Sequence, residues 1–307
     1  MTTGGAVDYG HDLLFGTFVT PVSQPVHRAV EQAVVADRAG MDLVTFQDHP
    51  YIPTFHDTST LLAYAAARTE HIHLAANVAN LPLRPPAVLA RATATLDQLS
   101  GGRAELGIGA GAFWDGVAGM GGPKRTPGES VVALEEAIAI IRAIWDTDDH
   151  SRLSISGEHY SVDGAKRGPA PAHSVGIWVG AYKPRILRLV GRTADGWLPS
   201  MQYLENGLGQ LTDMNRHIDD AARAAGRDPR DIRRFLNIGG RFSTQGGGFL
   251  QGPPAQWVEQ LTEVAMTYGT SGFVLASDDT VTTQTYAAEV APAVREAVAA
   301  ARTERSS

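Results

Sequence analysis

Residues 36–46, ADRAGMDLVTF, run from the end of a predicted helix through a glycine into a short apolar strand. The same succession returns in three further stretches, LSGGRAELGIG (99–109), GRTADGWLP (191–199) and TYGTSGFVLA (267–276). Glycine is common just past a helix C-terminus, because it adopts left-handed dihedral angles without steric cost. A glycine-terminated helix that feeds a buried strand after a tight turn is the αβ junction of a βα array. The repeated junction therefore predicts a parallel sheet whose strands are joined by helices.

Outward from these junctions, short apolar runs alternate with longer segments of helical period, about eight of each. The predicted strands are Leu13–Thr20, Leu43–Gln47, Ile72–Val78, Ala104–Ile108, Ile177–Val179, Gly196–Pro199, Phe235–Phe242 and Gly272–Ala276. The predicted helices are Pro25–Ala39, Thr58–Ala67, Pro86–Gln98, Ser130–Trp145, Pro184–Gly191, Leu208–Ala225, Pro254–Tyr268 and Tyr286–Ala300. We therefore predict an α/β fold, a (β/α)₈ TIM barrel, as a single domain over residues 1–307.

Three segments interrupt the alternation and are predicted to be insertions. Residues 113–128 follow the fourth strand, residues 146–171 precede the fifth and contain a hairpin-like RLSISGEHYSVDG, and residues 245–254 follow the seventh. Loops after the carboxyl ends of barrel strands build the active sites of such enzymes. We expect the insertions to shape the substrate pocket.

Composition excludes several classes of function. The chain of 307 residues has a formal net charge of -7 and no run of Lys or Arg, which argues against a nucleic-acid partner. It has no cysteine, which excludes disulfides, thiolate metal sites and a cysteine nucleophile. No segment has the length and apolarity of a membrane span, and the N-terminus lacks the pattern of a signal peptide. The expected location is the cytoplasm.

Four motifs, in this order, carry a resemblance to a known family. They are TFQDHP (45–50), the stretch 75–111 from AANVANLPLRPP to LGIGAG, WVGAYKPRILRLVGRTADGW (178–197) and EVAPAVRE (289–296). In this order they resemble the bacterial luciferase-like oxidoreductases, especially the branch that uses the deazaflavin F420. The resemblance implies hydride transfer between F420 and a small organic substrate. It also implies a homodimer, formed through helices of the early βα units.

The resemblance assigns roles first to two residues at the end of the second strand. Asp48 and His49 are expected beside the redox-active ring, with His49 as the catalytic proton carrier and Asp48 in a catalytic and cofactor-binding role. Many relatives that use FMN carry a different acidic-His pair, so the Asp-His pair favours F420. Read without the family, the favoured interpretation of His49 is a hydrogen-bonded loop histidine next to Pro50.

The cofactor is further expected to contact two strand ends. The resemblance implies a non-proline cis peptide bond at Asn77–Val78, serving as a backstop against one face of the ring. Gly109, Ala110 and Gly111 end the fourth strand, where small side chains let the backbone approach a cofactor. Read alone, GIGAGAFWDG resembles a degenerate dinucleotide fingerprint, but three βα units precede it and no clean helix start follows.

The phosphate of the cofactor is expected at the fifth strand and the helix after it. Gly180 and Ala181 end the strand, and Lys183 and Arg185 stand at the helix N-terminus, where free N–H groups favour an anion. The alternative is a pair of solvated cations. The glutamyl tail of F420 has four loose candidate partners, Lys124, Arg125, Lys166 and Arg167.

Aromatic residues at or beyond the strand ends predict an apolar substrate pocket. The expected pocket residues are Phe18, Tyr51, Phe113, Trp114 and Asp115, and Phe15 is a further aromatic candidate for pocket or core. Several relatives carry an acidic residue sooner after the glycines, so Asp115 is a candidate replacement as a general acid.

Two other interpretations remain open, and a third, a metal-dependent hydrolase, is disfavoured. The same fold with reduced FMN and O₂ would be a monooxygenase, and a non-catalytic flavin-binding barrel belongs to another class. His71 and His73 form an HxH pair of the kind that binds metal in other barrels. They lie at or before the start of the third strand, on the stability face of a barrel, so we expect no metal.

Overall fold

The computed structural model describes residues 7–306, and parallel strands close into a barrel at its centre. The barrel strands are β1 (Leu14–Val19), β2 (Leu43–Phe46), β3 (His73–Ala76), β4 (Ala79–Asn80), β5 (Ala104–Gly109), β8 (Ile177–Gly180), β9 (Gly196–Trp197), β10 (Arg233–Ile238) and β13 (Gly272–Ala276). The sheet order β3-β2-β1-β13-β10-β9-β8-β5 closes on itself because β3 also pairs with β5. β4 continues β3 after a break at residues 77–78, so these two strands occupy one position in the barrel. The barrel therefore has eight strand positions, and the predicted TIM barrel is confirmed.

Helices surround the barrel. They are α1 (Arg28–Arg38), α2 (Thr58–Ala66), α3 (Pro86–Ser100), α4 (Trp114–Gly119), α5 (Pro127–Trp145), α6 (Pro184–Thr193), α7 (Gln210–Ala224), α8 (Pro254–Tyr268), α9 (Thr280–Thr285) and α10 (Ala291–Ser306). Short 3₁₀ turns occur at Leu81–Leu83, Met201–Tyr203 and Pro229–Asp231, and a π-helical turn, Tyr286–Val290, joins α9 to α10. Within residues 7–306, every helix is too short or too polar to cross a bilayer.

The glycine junctions fold as predicted in three of the four stretches. Gly40, Gly101 and Gly269 have φ angles of +78°, +73° and +67°, the left-handed conformation that follows a helix end. The fourth junction differs, because Gly191 lies inside α6 rather than after it. A Cβ at Gly191 would lie 2.2 Å from the carbonyl oxygen of Ile218 in α7, so glycine is needed there for two helices to pack closely.

The interior of the barrel is filled by side chains from several strands. A buried cluster joins Leu43, Ala75, Trp178, Leu198, Phe235 and Val274, with Phe18 and Val78 packed against it from the carboxyl end. The rings of Trp178 and Phe235 lie 4.4 Å apart. The barrel is therefore a packed core, and open space begins only beyond the carboxyl ends of the strands.

Carboxylates anchor the amino ends of the strands. Asp37 accepts hydrogen bonds of 2.9, 2.9 and 2.8 Å from the backbone N–H groups of residues 70–72, which lead into β3. Asp42 accepts from Phe15 N–H at 2.6 Å. Asp195 accepts from Ile177 N–H at 2.9 Å, so carboxylates of the junction stretches hold neighbouring strands in register.

The three predicted insertions each contain some regular structure. The first contains the short helix α4, which the sequence pattern did not predict. The second contains the predicted hairpin, with β6 (Leu153–Ile155) antiparallel to β7 (Val162–Ala165). In the third, β12 (Gln251–Gly252) pairs with β11 (Arg241–Phe242).

The bounds of two predicted elements are corrected. The predicted strand Phe235–Phe242 is too long, because β10 ends at Ile238 and a glycine pair, residues 239–240, separates it from β11. The predicted helix Tyr286–Ala300 starts too late, because α9 begins at Thr280, where the side chain of Asp279 caps it.

Candidate active site

A cavity of about 570 Å³ opens beyond the carboxyl ends of the strands. Most of the predicted site residues line it, namely Phe18, Asp48, His49, Tyr51, Asn77, Val78, Gly109, Ala110, Gly111, Phe113, Gly180, Ala181 and Lys183. They come from segments that are far apart in the chain and meet because parallel strands end on the same side of a barrel.

His49 lies at the wall of this cavity between two aromatic side chains. Its Nδ1 is 2.7 Å from the hydroxyl oxygen of Tyr51, and the ring of Phe113 meets it edge-on at 5.6 Å between centroids. Phe113 has a φ of +54°, an uncommon conformation for a bulky residue, and this backbone turn directs the loop after β5 over His49. Burial lowers the pKa of His49 below its ordinary value, although the charge of Asp48 acts in the opposite direction. The imidazole is therefore mainly neutral at pH 7.

Asp48 is buried and its carboxylate is fully engaged by protein groups. Oδ2 accepts from the backbone N–H of Asn80 at 2.8 Å and from Nε of Arg84 at 2.6 Å, and Oδ1 accepts from Nη2 of Arg84 at 2.7 Å. A carboxylate held in this bidentate ion pair is a poor proton carrier. Asp48 therefore fixes the end of β2 against the turn after β4. His49, the next residue, lines the cavity.

Four polar side chains from different strands are linked at the floor of the cavity. The peptide bond Asn77–Val78 is cis, as the resemblance implied. The amide of Asn77 donates to Asn237 Oδ1 at 2.7 Å, and the amide of Asn237 donates back to Asn77 Oδ1 at 3.1 Å. Asn77 also reaches Thr45 Oγ1 at 3.2 Å, and Asn237 reaches Ser200 Oγ at 3.0 Å. This network fixes Asn77, the residue directly before Val78.

The glycines of the site make room for the side chain of Val78. A Cβ at Gly109 would lie 2.6 Å from Cγ2 of Val78, and one at Gly180 would lie 3.5 Å from the same atom. Any larger residue at Gly109 would collide with Val78. Gly111, at φ +107°, is held by Trp114 and Pro82, whose atoms a Cβ would meet at 2.6 and 2.7 Å.

The N-terminus of α6 forms one end of the cavity and has no capping side chain. Pro184 occupies the first helical position, so the free N–H groups of the first turn begin at Arg185 and Ile186. Lys183 lines the cavity but is largely exposed, with its Nζ 3.5 Å from Glu205. Free N–H groups and an exposed cation at a helix N-terminus are suited to binding an anion.

Three aromatic or acidic candidates do not line the cavity. Asp115 projects into solvent, with a side chain that is 97% exposed and a carboxylate 2.6 Å from Lys124, because it lies on the outer face of α4. Trp114 packs beneath Gly111 and supports the wall instead of lining it. Phe15 is fully buried against Phe273. These positions correct the predicted substrate pocket.

The four candidate partners of a glutamyl tail are also outside the cavity lining. Arg125 lies over the ring of Tyr160 at 4.7 Å and donates to its hydroxyl at 3.1 Å. Arg167 is paired with Asp149, and Lys124 with Asp115 as described. Lys166 contributes its backbone carbonyl to a bond from Arg91 at 2.6 Å.

The cavity also contains residues that sequence reasoning missed. They are Gln47, Ala79, Asn80, Ala112, Tyr182, Ile186, Leu198, Ser200, Gln202 and Tyr203. The hydroxyl of Tyr182 accepts a bond of 2.8 Å from the backbone N–H of Ser200, and its ring meets Tyr203 edge-on at 5.6 Å. The position of Ser200 and its neighbours could have indicated that they line the cavity, because they directly follow the sixth strand of the barrel.

The comparisons with known proteins agree with this architecture. The family model of the luciferase-like monooxygenases matches residues 8–239, and the chain belongs to that family. Over 218 residues it is 33% identical to the F420-dependent glucose-6-phosphate dehydrogenase of Nocardia farcinica (strain IFM 10152), covering 68% of this chain and 63% of the relative. The enzyme of the same name from Mycolicibacterium fortuitum is 32% identical over 220 residues, with the same two coverages. The chain thus spans less than two thirds of the length of these relatives.

Solved structures show the same fold at lower sequence identity. An F420-dependent secondary alcohol dehydrogenase in complex with an F420-acetone adduct superposes with a TM-score of 0.78 at 18% identity, covering 92% of this chain and 99% of that one. The monooxygenase RslO1 from Streptomyces bottropensis gives a TM-score of 0.76 at 20% identity, covering 91% of this chain and 99% of that one. Likeness of fold therefore extends to proteins with different reactions.

Proposed function

We propose that the cavity binds F420 and that the protein is an oxidoreductase that transfers a hydride between F420 and a small organic substrate. The observation that carries the proposal is the pairing of a half-buried, mainly neutral imidazole with an uncapped helix N-terminus at the edge of one cavity. The first suits a proton carrier and the second suits a phosphate. Relatives named as F420-dependent dehydrogenases support the choice of cofactor.

The residues present fit the cofactor. Gly109 and Gly180 leave Val78 as an apolar surface against which a flat ring can pack. The N–H groups of Arg185 and Ile186 and the side chain of Lys183 would hold the phosphate. The linked amides of Asn77 and Asn237 hold the wall behind Val78.

F420, when bound, supplies hydride chemistry at C5 of its deazaflavin ring and lacks the ring nitrogen that supports reaction with O₂. The protein supplies orientation, water exclusion and a proton carrier. His49 accepts or donates the coupled proton, and its Nδ1 is oriented by the hydroxyl of Tyr51. Burial and the charge of Asp48 raise the pKa of Tyr51 to about 12, so Tyr51 stays protonated at neutral pH.

The protonation of His49 favours one direction of reaction. Its lowered pKa keeps the imidazole neutral at pH 7, ready to take a proton from an alcohol. We therefore propose alcohol oxidation with oxidised F420 as acceptor. Aromatic side chains on both sides of His49, Tyr51 and Phe113, would exclude water from the reacting atoms.

The proposal is tested by titrating the purified apo-protein with F420 and with FMN under identical salt and following fluorescence. F420 bound at least tenfold more tightly than FMN would support the proposal. The loaded protein is then mixed anaerobically with glucose 6-phosphate and with a secondary alcohol, and reduction of the cofactor is followed by absorbance. Tighter binding of FMN, with O₂-dependent oxidation, would replace the proposal with a monooxygenase; binding of neither would point to a non-catalytic barrel.

We also propose that two copies associate through α2 and α3. A groove of about 630 Å³ runs between these helices, and the apolar side chains of Val88 and Leu99 are exposed along it. Light scattering of the wild type and of Leu99→Asp measures the mass in solution. A dimer that dissociates in the variant supports this interface, and an unchanged mass refutes it. The cytoplasmic location stays a prediction.

A further inference from the structure

A cluster of two histidines and a glutamate lies at the amino end of the barrel, opposite the cavity. His73 is the first residue of β3, Glu105 is the second residue of β5, and His173 precedes β8. These three strands are neighbours in the barrel. One ligand atom from each side chain lies within 4.8 Å of the other two, so the three residues share one small space.

One oxygen of Glu105 faces both histidines. Its Oε1 is 3.6 Å from Nδ1 of His73 and 3.3 Å from Nε2 of His173. The other oxygen, Oε2, accepts a bond of 2.7 Å from the backbone N–H of Gly176. The carboxylate is therefore held in an orientation that directs a single oxygen at the two imidazoles.

Asp97 orients the imidazole of His173. Its Oδ1 is 2.8 Å from Nδ1 of His173, and its Oδ2 accepts from the backbone N–H groups of Ala172 and His173. Asp97 is fully buried, so its charge strongly favours a proton on Nδ1. In the neutral tautomer, Nε2 then carries a lone pair that faces the carboxylate oxygen of Glu105, and a cation between the two atoms would relieve their repulsion.

Two of the ligand-to-ligand distances, 3.3 and 3.6 Å, are close to the edge length of a metal-centred tetrahedron. Bonds of about 2.0–2.1 Å from Zn²⁺ to imidazole nitrogen or carboxylate oxygen imply ligand-to-ligand separations of about 3.3 Å at the tetrahedral angle. A histidine ligand whose second nitrogen bonds a carboxylate, as His173 bonds Asp97, is the usual arrangement around such an ion. Two imidazoles and one carboxylate are donors suited to Zn²⁺ and related first-row divalent ions.

We propose that His73, Glu105 and His173 bind a divalent transition-metal ion such as Zn²⁺, with solvent completing its coordination. The side chains of His73 and His173 are 41% and 30% exposed, which leaves a path for entry of the ion. The ion would join the amino ends of β3 and β5 to the segment before β8, far from the cavity. Its expected effect is on stability and not on hydride transfer.

This site departs from the HxH reading of the sequence, which paired His73 with His71. The side chain of His71 is 85% exposed and lies 3.9 Å from Glu70, outside the cluster. His71 is therefore a matched control for His73, because it is the same residue type two positions away.

The test is calorimetric titration with ZnCl₂ of the tag-free, chelator-treated protein, together with the visible spectrum of the Co²⁺-loaded form. The variants are His73→Asn, Glu105→Gln and the control His71→Asn. We expect one ion per chain in the wild type and in His71→Asn, and at least tenfold weaker binding in the other two variants. The Co²⁺ spectrum should have the strong bands of four-coordinate cobalt only in the first two proteins.

Thermal unfolding separates loss of the site from loss of the fold. Saturating Zn²⁺ should raise the melting temperature of the wild type and of His71→Asn, and should leave that of folded His73→Asn unchanged. Absence of stoichiometric binding in the wild type would overturn the proposal, in favour of a protonated His173 that bridges Asp97 and Glu105. Equal affinity of the wild type and His73→Asn would overturn it as well.

Discussion

The two ends of the barrel differ in the backbone polar groups that they leave open. At the amino end, Asp37, Asp42 and Asp195 accept backbone N–H groups of the incoming strands, so donors and carboxylates satisfy one another. At the carboxyl end, backbone is exposed along a cavity and the N-terminus of α6 has no side-chain cap. The amino end therefore contributes mainly to stability, and the carboxyl end keeps polar groups available for binding a ligand.

At the carboxyl end, the helix N-termini also differ from one another. Asp57 caps α2, and Thr126 and Glu129 form a reciprocal capping box at α5. Among the helices of residues 7–306, α4 and α6 both begin at the cavity wall without a side-chain cap, and α6, with 10 residues, is the longer of the two. Leaving donors open there costs stability that a bound anion would restore.

The largest expected effect comes from replacing His49, the proposed proton carrier at the carboxyl end. His49→Gln should lower kcat by about 100-fold or more, because general acid–base catalysis contributes about that much. The affinity for F420 should change much less, since the variant keeps the volume of the wall. Stopped-flow reduction of bound F420 measures the rate, and fluorescence titration measures the affinity. An unchanged kcat would remove His49 from the mechanism.

Removing a carboxylate at the amino end should lower the stability of the protein without changing its affinity for F420. Asp37→Ala removes the acceptor of three backbone bonds and should lower the free energy of unfolding by about 2 kcal/mol. Urea denaturation measures this change, with the neighbouring exposed carboxylate variant Glu70→Ala as control. F420 affinity should stay that of the wild type. A loss of affinity, or a stability within about 0.5 kcal/mol of the wild type, would contradict the division between the two ends.

At the start of α6, a substitution is expected to raise the stability of the protein while it lowers the affinity for F420. Lys183 has the extended dihedrals of an N-cap residue, φ -105° and ψ 152°, so Lys183→Asp should add a cap and stabilise the protein by about 1 kcal/mol. The same change places a negative charge at the proposed phosphate site and should weaken F420 binding about tenfold, or about 1.4 kcal/mol. Lys183→Ser is the control, since it caps without the added charge. Unchanged affinity in both variants would place the phosphate elsewhere.

The smallest expected effect is that of replacing Asp37 on the pH dependence of stability. Burial raises the pKa of Asp37, but its three backbone bonds outweigh this and the pKa lies below the usual 3.8. A lowered folded-state pKa means that the stabilisation is present above pH 3.8 and is lost as the pH falls through the folded value. Between pH 5 and 2, the stability of Asp37→Asn should therefore decline less steeply than that of the wild type. Parallel slopes would show that Asp37 does not contribute to acid unfolding.

Local sequence pattern predicted the barrel, and the family resemblance then assigned most of the cavity residues to its strand ends. Apolar runs define the strands, and any residue just after a strand reaches the carboxyl end, as His49 and Gly180 do. The Asn77–Asn237 pair was not predictable, since it joins residues 160 positions apart and depends on barrel closure. The direction of Asp115 was missed because the turn at Phe113 starts an additional helix.

The sequence also could not predict which residues the charged side chains contact. The sequence placed Asp48 correctly at the end of β2 but gave no sign that Arg84 holds both of its oxygens. It likewise paired His73 with the adjacent His71, whereas the fold brings His73 to Glu105 and His173. Local spacing predicts where a side chain lies along a strand, and tertiary packing decides what it contacts.

The most direct test of the functional carboxyl end is a crystal structure of the protein with F420 bound. The account predicts the deazaflavin ring against Val78, the phosphate at the N–H groups of Arg185 and Ile186, and His49 within hydrogen-bonding distance of the substrate position. A cofactor bound outside this cavity, or one whose phosphate lies away from the N-terminus of α6, would contradict it.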